Sequence, residues 1–184
     1  MKETEFKRIL VANRGEIARR IIRAIHGMDK TALVVYAEND RELPFVSEAD
    51  EAFSLGPGDL SQTYLNIEGI LKIAREARAD AIHPGYGFLA ENAAFAGACE
   101  ESGIAFIGPS AEMISLMGHK SKAREMAASK GVPVLEGLTG DLNTLLKKHK
   151  ELSYPVLVKP AEGGGGKGMR IVRSAENFEQ EARD

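Results

Sequence analysis

Between residues 8 and 107, short apolar runs alternate with segments of helical period, and no other feature restricts the fold as much. Arg8-Ile9-Leu10-Val11-Ala12 is brief and apolar, as a strand buried on both faces must be. Asn13-Arg14-Gly15 interrupts it. Glu16 to Ile25 then sets Ile17, Ile21, Ile22 and Ile25 at the spacing of one helix face. Ala32 to Tyr36 is a second apolar run. Strand, turn, helix and strand within about 30 residues make a βαβ unit with a right-handed crossover. The alternation resumes with a helix over Leu65 to Arg78 and a strand at Ala81-Ile82-His83, stopped by Pro84 and Gly85. A small-residue helix over Asn92 to Glu101 and a strand at Ile104 to Ile107 complete it. The expected class is α/β, with a Rossmann-like open parallel sheet carrying helices on both faces.

After Gly108-Pro109 the pattern changes. Ala111 to Met117 and Lys120 to Ser129 read as two helices split by Gly118, and Asp141 to Lys150 as a charged, exposed helix. Pro155 to Lys159 and Met169 to Val172 read as strands on either side of a glycine run. A last helix starts at Ala175 with Ser174 as its N-cap. We place the boundary at residue 115, giving domains 1–115 and 116–184. The last helix reaches Asp184 with no Gly, no Pro and no closing apolar face, and two strands seldom make a stable sheet alone. The second domain is therefore expected to be incomplete within these residues.

Composition narrows the function classes. With a formal net charge of −3, the chain lacks the basic face of a general nucleic-acid or membrane binder. No apolar run approaches the roughly 18 residues of a membrane span. Met1-Lys2-Glu3-Thr4-Glu5 is unlike a signal or transit peptide. The single cysteine, Cys99, cannot form an internal disulfide and sits among Ala96, Gly97 and Ala98, which fits a packed helix in a reducing compartment. The expected location is the cytoplasm, or the mitochondrial matrix for a eukaryotic homologue.

Gly163-Gly164-Gly165-Gly166-Lys167-Gly168 matches G-x-G-x-x-G literally, but that pattern binds dinucleotides only between a strand and a helix. Here it joins two strands, as a hairpin flap would. Glycine N–H groups in such a flap approach phosphates without Cβ obstruction. A phosphate-binding P-loop is excluded, because Ala161 stands six residues before Lys167 and Gly168 replaces the Ser or Thr. Lys159 closes the entry strand, where a buried lysine needs an anionic partner. A plain surface hairpin with solvated lysines is the alternative.

Four segments together resemble the biotin carboxylases of the biotin-dependent carboxylases. They are Leu10-Val11-Ala12-Asn13-Arg14-Gly15-Glu16-Ile17-Ala18; His83-Pro84-Gly85-Tyr86-Gly87-Phe88-Leu89-Ala90-Glu91-Asn92; Phe106-Ile107-Gly108-Pro109 with Met117-Gly118-His119-Lys120; and Lys159 with Gly163 to Met169. The resemblance covers nearly the whole chain. It implies a pre-ATP-grasp domain followed by a partial ATP-grasp region with a glycine-rich lid hairpin. It also implies ATP-dependent carboxylation of biotin on a carrier protein, using bicarbonate and Mg2+ or Mn2+, through carboxyphosphate. By position it assigns Lys120, Lys159, Gly163, Gly164, Gly165, Gly166, Lys167 and Gly168 to ATP. His83, Gly85, Tyr86 and Gly87 fall at the edge of the biotin and bicarbonate pocket, and Arg20 and Arg23 at a homodimer interface. Implied partners are a biotin carboxyl carrier and a carboxyltransferase.

The chain departs from the family pattern at His119, where Asp is frequent, and at Glu162, where a small residue is frequent. The family's metal ligands and catalytic residues are expected beyond residue 184, so this chain alone is expected to be inactive and to hold no metal. Another ATP-grasp ligase and a non-catalytic nucleotide-binding or dimerisation module are the alternatives. Single residues keep plainer readings beside the functional ones. Arg14 pairs with a carboxylate or binds an anion, His83 is a structural hydrogen-bonded histidine or a base, Tyr86 wedges a turn or borders a pocket, and Arg20 and Arg23 lie on a solvated face or an interface.

Overall fold

The computed structural model of the chain describes residues 5–135, 137–160 and 168–183. The chain divides into two units, Met1–Ser115 and Leu116–Asp184. In the first, β1 (Arg8–Val11), α1 (Gly15–His26), β2 (Thr31–Tyr36), α2 (Pro44–Glu48), β3 (Glu51–Ser54), α3 (Ile67–Glu76), β4 (Ala81–His83), α4 (Ala93–Glu101) and β5 (Ala105–Phe106) follow in order. The strands are all parallel and lie in the order β3-β2-β1-β4-β5. Leu10 pairs with Leu33 on one side and Ile82 on the other.

Alternate residues of β1 serve two cores, because successive side chains point to opposite faces. Leu10 and Ala12 join a cluster with Tyr64, Ile70, Leu71, Phe95 and Cys99, beneath α3 and α4. Ile9 and Val11 join Ala18, Ile21, Ile22, Ile25 and Phe45, beneath α1 and α2. Both faces are covered, which explains why β1 and β2 carry no polar alternation. Each fully buried Ile contributes about 1.5–3 kcal/mol. Asn66 and Asn92 cap α3 and α4, their side chains accepting from the Gly69 and Phe95 N–H groups.

Sequence reading places no element between residues 36 and 65, whereas the structure has a 3-10 turn at Glu38–Asp40, then α2 and β3. β3 is an edge strand on which only Phe53 is half-buried, so it lacks the apolar run that marks β1 and β2. The strand expected over 104–107 shortens to Ala105–Phe106.

In the second unit, α5 (Ala111–Gly118), which begins in the first, leads through His119 to α6 (Lys120–Ser129), α7 (Leu142–Lys148), the antiparallel pair β6 (Val156–Val158) and β7 (Arg170–Val172), and α8 (Phe178–Arg183). The segment read as a charged, exposed helix is helical over Leu142–Lys148 with its lysines exposed, but it also has an apolar side. Leu142, Leu145 and Leu146 are half-buried, and His149 beyond them is buried. The His149 ring stacks on Phe178 at 4.5 Å, and its Nδ1 meets the Tyr154 hydroxyl at 2.9 Å. Ser174 opens a 3-10 turn at Ala175–Asn177 before α8, and its side chain makes no capping bond to the backbone.

Candidate functional site

From β1 the chain winds outward through β2 to β3, then returns to the other side of β1 as β4. The loops after β1 and β4 therefore diverge at a topological switch point, where open α/β sheets form their ligand crevices. Asn13 follows β1 and is 3% exposed. Its Nδ2 donates to the Pro84 carbonyl at 2.7 Å and the Tyr86 carbonyl at 2.9 Å, and its Oδ1 accepts the Arg14 N–H at 2.9 Å. The β4 loop is thereby tied across the crevice to the β1 loop. Gly85 and Gly87 both have φ +68°, and Phe88 has φ +42°, so the loop needs glycines where it turns. Tyr86 stands 62% exposed, with its hydroxyl donating to Glu16 in the first turn of α1. That acceptor raises the Tyr86 phenol above its ordinary value. His83 is half-buried, its Nδ1 accepts the Gly85 N–H at 3.0 Å, and burial pushes its imidazole below its ordinary value. A neutral His83 holding its own turn is the structural role, and no carboxylate bonds to it among the described residues.

A third loop braces the first two. Asp40, 4% exposed, accepts from Arg14 Nε at 2.6 Å, from a second Arg14 nitrogen, and from the Tyr64 hydroxyl at 2.7 Å. The Tyr64 oxygen in turn accepts the Ala37 N–H at 3.1 Å. Burial, with Asp40 as acceptor, raises the phenol far above its ordinary value, so it stays a donor. The Tyr64 ring stacks on Phe88 at 5.2 Å. Arg14 is thus the partner of a buried carboxylate, the plainer of its two readings. Sequence reasoning missed Asp40 and Tyr64, because neither stands in a motif and Asp40 lies 26 residues from Arg14.

On the second unit, Lys120 is exposed in the first turn of α6, where backbone N–H groups favour anions. His119 stands at the N-cap and makes no side-chain capping bond. Lys159 is exposed and directly follows β6. Leu157 on β6 pairs with Ile171 on β7, so the two share a face, and they are 46% and 60% exposed. Lys159 follows directly on β6 and Met169 directly precedes β7, where it is 45% exposed. An apolar platform ends at a cation, an arrangement suited to a flat base followed by phosphates, and its apolar part carries no sequence motif. Gly163, Gly164, Gly165, Gly166 and Lys167 lie outside the described residues. Gly168 has φ +73°, a conformation glycine adopts without strain.

Arg20 and Arg23 are both exposed on α1. Arg20 borders an open cleft of about 490 Å3 lined by Ile17, Ile21, Met28, His83 and Ile107. Arg20 therefore borders an apolar surface as well as solvent. Cys99 is buried, and burial pushes its thiol up to about 11, which leaves it unreactive.

Comparison with known proteins follows this division. The family described as biotin carboxylase, N-terminal domain, matches residues 5–114, and the carbamoyl-phosphate synthase L chain, ATP binding domain, matches residues 119–184. The chain is 48% identical over 177 residues to the mitochondrial methylcrotonoyl-CoA carboxylase subunit alpha of Rattus norvegicus, covering 95% of this chain and 25% of that protein. It is 47% identical over 175 residues to biotin carboxylase 1 of Bacillus subtilis, covering 94% and 39%. Among solved structures, the biotin carboxylase domain dimer of Hydrogenobacter thermophilus 2-oxoglutarate carboxylase, in complex with MgADP, ADP and bicarbonate, superposes with a TM-score of 0.86 at 46% identity. It covers 97% of this chain and 41% of that one. The chain thus spans between a quarter and two fifths of these relatives.

Proposed function

The chain belongs to the biotin carboxylase family, and from that premise we propose that it supplies the crevice loops and part of the ATP site of an enzyme that carboxylates biotin on a carrier protein. The reaction consumes ATP and bicarbonate, passes through carboxyphosphate, and serves an acyl-CoA, pyruvate or other 2-oxo-acid carboxylase. The hairpin platform is the observation that carries the nucleotide part. Leu157 and Ile171 offer an apolar face to the base, and Lys159 at its end offers charge to the phosphates. By the resemblance, Lys120, Gly163, Gly164, Gly165, Gly166, Lys167 and Gly168 also bind ATP. His83, Gly85, Tyr86 and Gly87 border the pocket for biotin and bicarbonate. Arg20 and Arg23 belong to the interface of a homodimer, whose other partners are the carrier and a carboxyltransferase. We place the reaction in the cytoplasm.

ATP supplies the phosphoryl group that activates bicarbonate, and the residues on this chain bind and orient rather than transfer. Among the described residues no three His, Cys, Asp or Glu side chains gather in a group that could hold a metal ion. Because they span 39% of the Bacillus subtilis enzyme, residues 1–184 alone are expected to show no bicarbonate-dependent ATP hydrolysis. Titration with a fluorescent ATP analogue tests the reading. Saturable binding lost on Lys159→Ala supports it, and no binding by the unmodified chain favours a purely structural or dimerising segment.

A further inference from the structure

We propose that Asn13 and Glu16 are the positioning residues of the crevice, fixing Tyr86 from two sides, Asn13 through the backbone and Glu16 through the hydroxyl. A buried amide is costly unless its hydrogen bonds are all made. That of Asn13 makes three, and the two donated ones converge on the carbonyls of Pro84 and Tyr86. Only a short side chain with two donor hydrogens meets that pair. Asp offers two acceptors to two acceptors, Ser has a single donor, and Gln is one methylene too long.

Gly85, between those carbonyls, shows how closely the parts interlock. Its φ is +68°, and a Cβ there would approach Asn13 Nδ2 to 2.8 Å. The far end of the loop is held as well. Phe88 keeps a positive φ, strained for a bulky residue, and its ring is stacked on Tyr64. With both ends fixed, the mobile part left is the Tyr86 side chain. An exposed tyrosine exchanges rotamers freely unless something holds its tip. The carboxylate of Glu16, on the first turn of α1, is what holds it. Both positioning residues come from the loop and helix start that follow β1, while the residue they place comes from the loop after β4.

The consequence for biotin rests on the function proposed above, but the geometry is tested without any ligand. The chain is labelled at tyrosine 13Cζ, the Tyr86 resonance is identified by Tyr86→Phe, and its ionisation is followed by pH titration. Unmodified Tyr86 should titrate above the ordinary value of about 10. Glu16→Gln should lower that midpoint while the other three tyrosines keep theirs. Asn13→Ala should lower it too, because the hydroxyl no longer reaches Glu16. An unchanged midpoint in Glu16→Gln overturns the role of Glu16, and one that falls there but not in Asn13→Ala overturns the role of Asn13. Should Asn13→Ala fail to fold, the unmodified chain still decides. Both Asn13 side-chain amide protons should exchange at least roughly tenfold more slowly than an exposed amide, and free exchange removes the proposal. Failure here leaves the nucleotide titration untouched, and the reverse also holds.

Discussion

His83 has one hydrogen bond that commits its protonation state. Its Nδ1 accepts the Gly85 N–H, which a doubly protonated ring cannot do. Burial lowers its folded value below the ordinary 6.5. The unfolded chain therefore takes up the proton first as pH falls, and stability rises with pH across that interval. The contribution of His83 is fully present above about pH 6.5 and is lost as pH drops toward the folded value. Thermal unfolding between pH 7.5 and 5 should show Tm falling, and His83→Asn should flatten the fall. An equally steep fall in the variant assigns the effect elsewhere. At this scale Pro84 and Gly85 were legible as the stop that ends β4. The plain reading of His83 as a hydrogen-bonded structural residue agrees with its geometry. Asp40 and Tyr64 were not legible, because a buried carboxylate finds its partners through tertiary structure and carries no local spacing.

Among the elements, α1 does most to place the crevice, since its first turn carries Glu16 and its buried face fixes its distance from the sheet. Ala18, Ile21, Ile22 and Ile25 are all buried against β1 and β2. Ile22→Ala should cost about 2–5 kcal/mol, read by urea denaturation of the chain. A loss below about 0.5 kcal/mol contradicts the packing described. The same periodicity made α1 legible in the sequence, as did the apolar runs of β1, β2 and β4. The elements that escaped have a shared cause. β3 is an edge strand with one half-buried apolar residue, and α2 has five residues, too few for a helical period to show. In the second unit, the burial of His149 against Phe178 joins α7 to α8 across 29 residues of chain, beyond the reach of any local pattern.

The whole molecule divides its work between two units. The first presents a crevice whose loops are tied by Asn13 and braced by Asp40, and the second presents a hairpin with an apolar face and Lys159. Neither surface alone specifies a reaction. Their occurrence on one chain, together with 45–48% identity to two biotin carboxylases and a methylcrotonoyl-CoA carboxylase subunit alpha, is what supports the proposed part in biotin carboxylation. Because the chain spans 39% of the Bacillus subtilis enzyme it matches, the decisive measurement grafts it into that enzyme in place of the corresponding segment. ATP-dependent transfer of labelled bicarbonate to free biotin is then measured, with and without Lys159→Ala. The account predicts transfer by the graft and a loss of at least about 100-fold, about 2.7 kcal/mol, in the Lys159→Ala graft. A folded graft that transfers nothing, or one indifferent to Lys159, would contradict it.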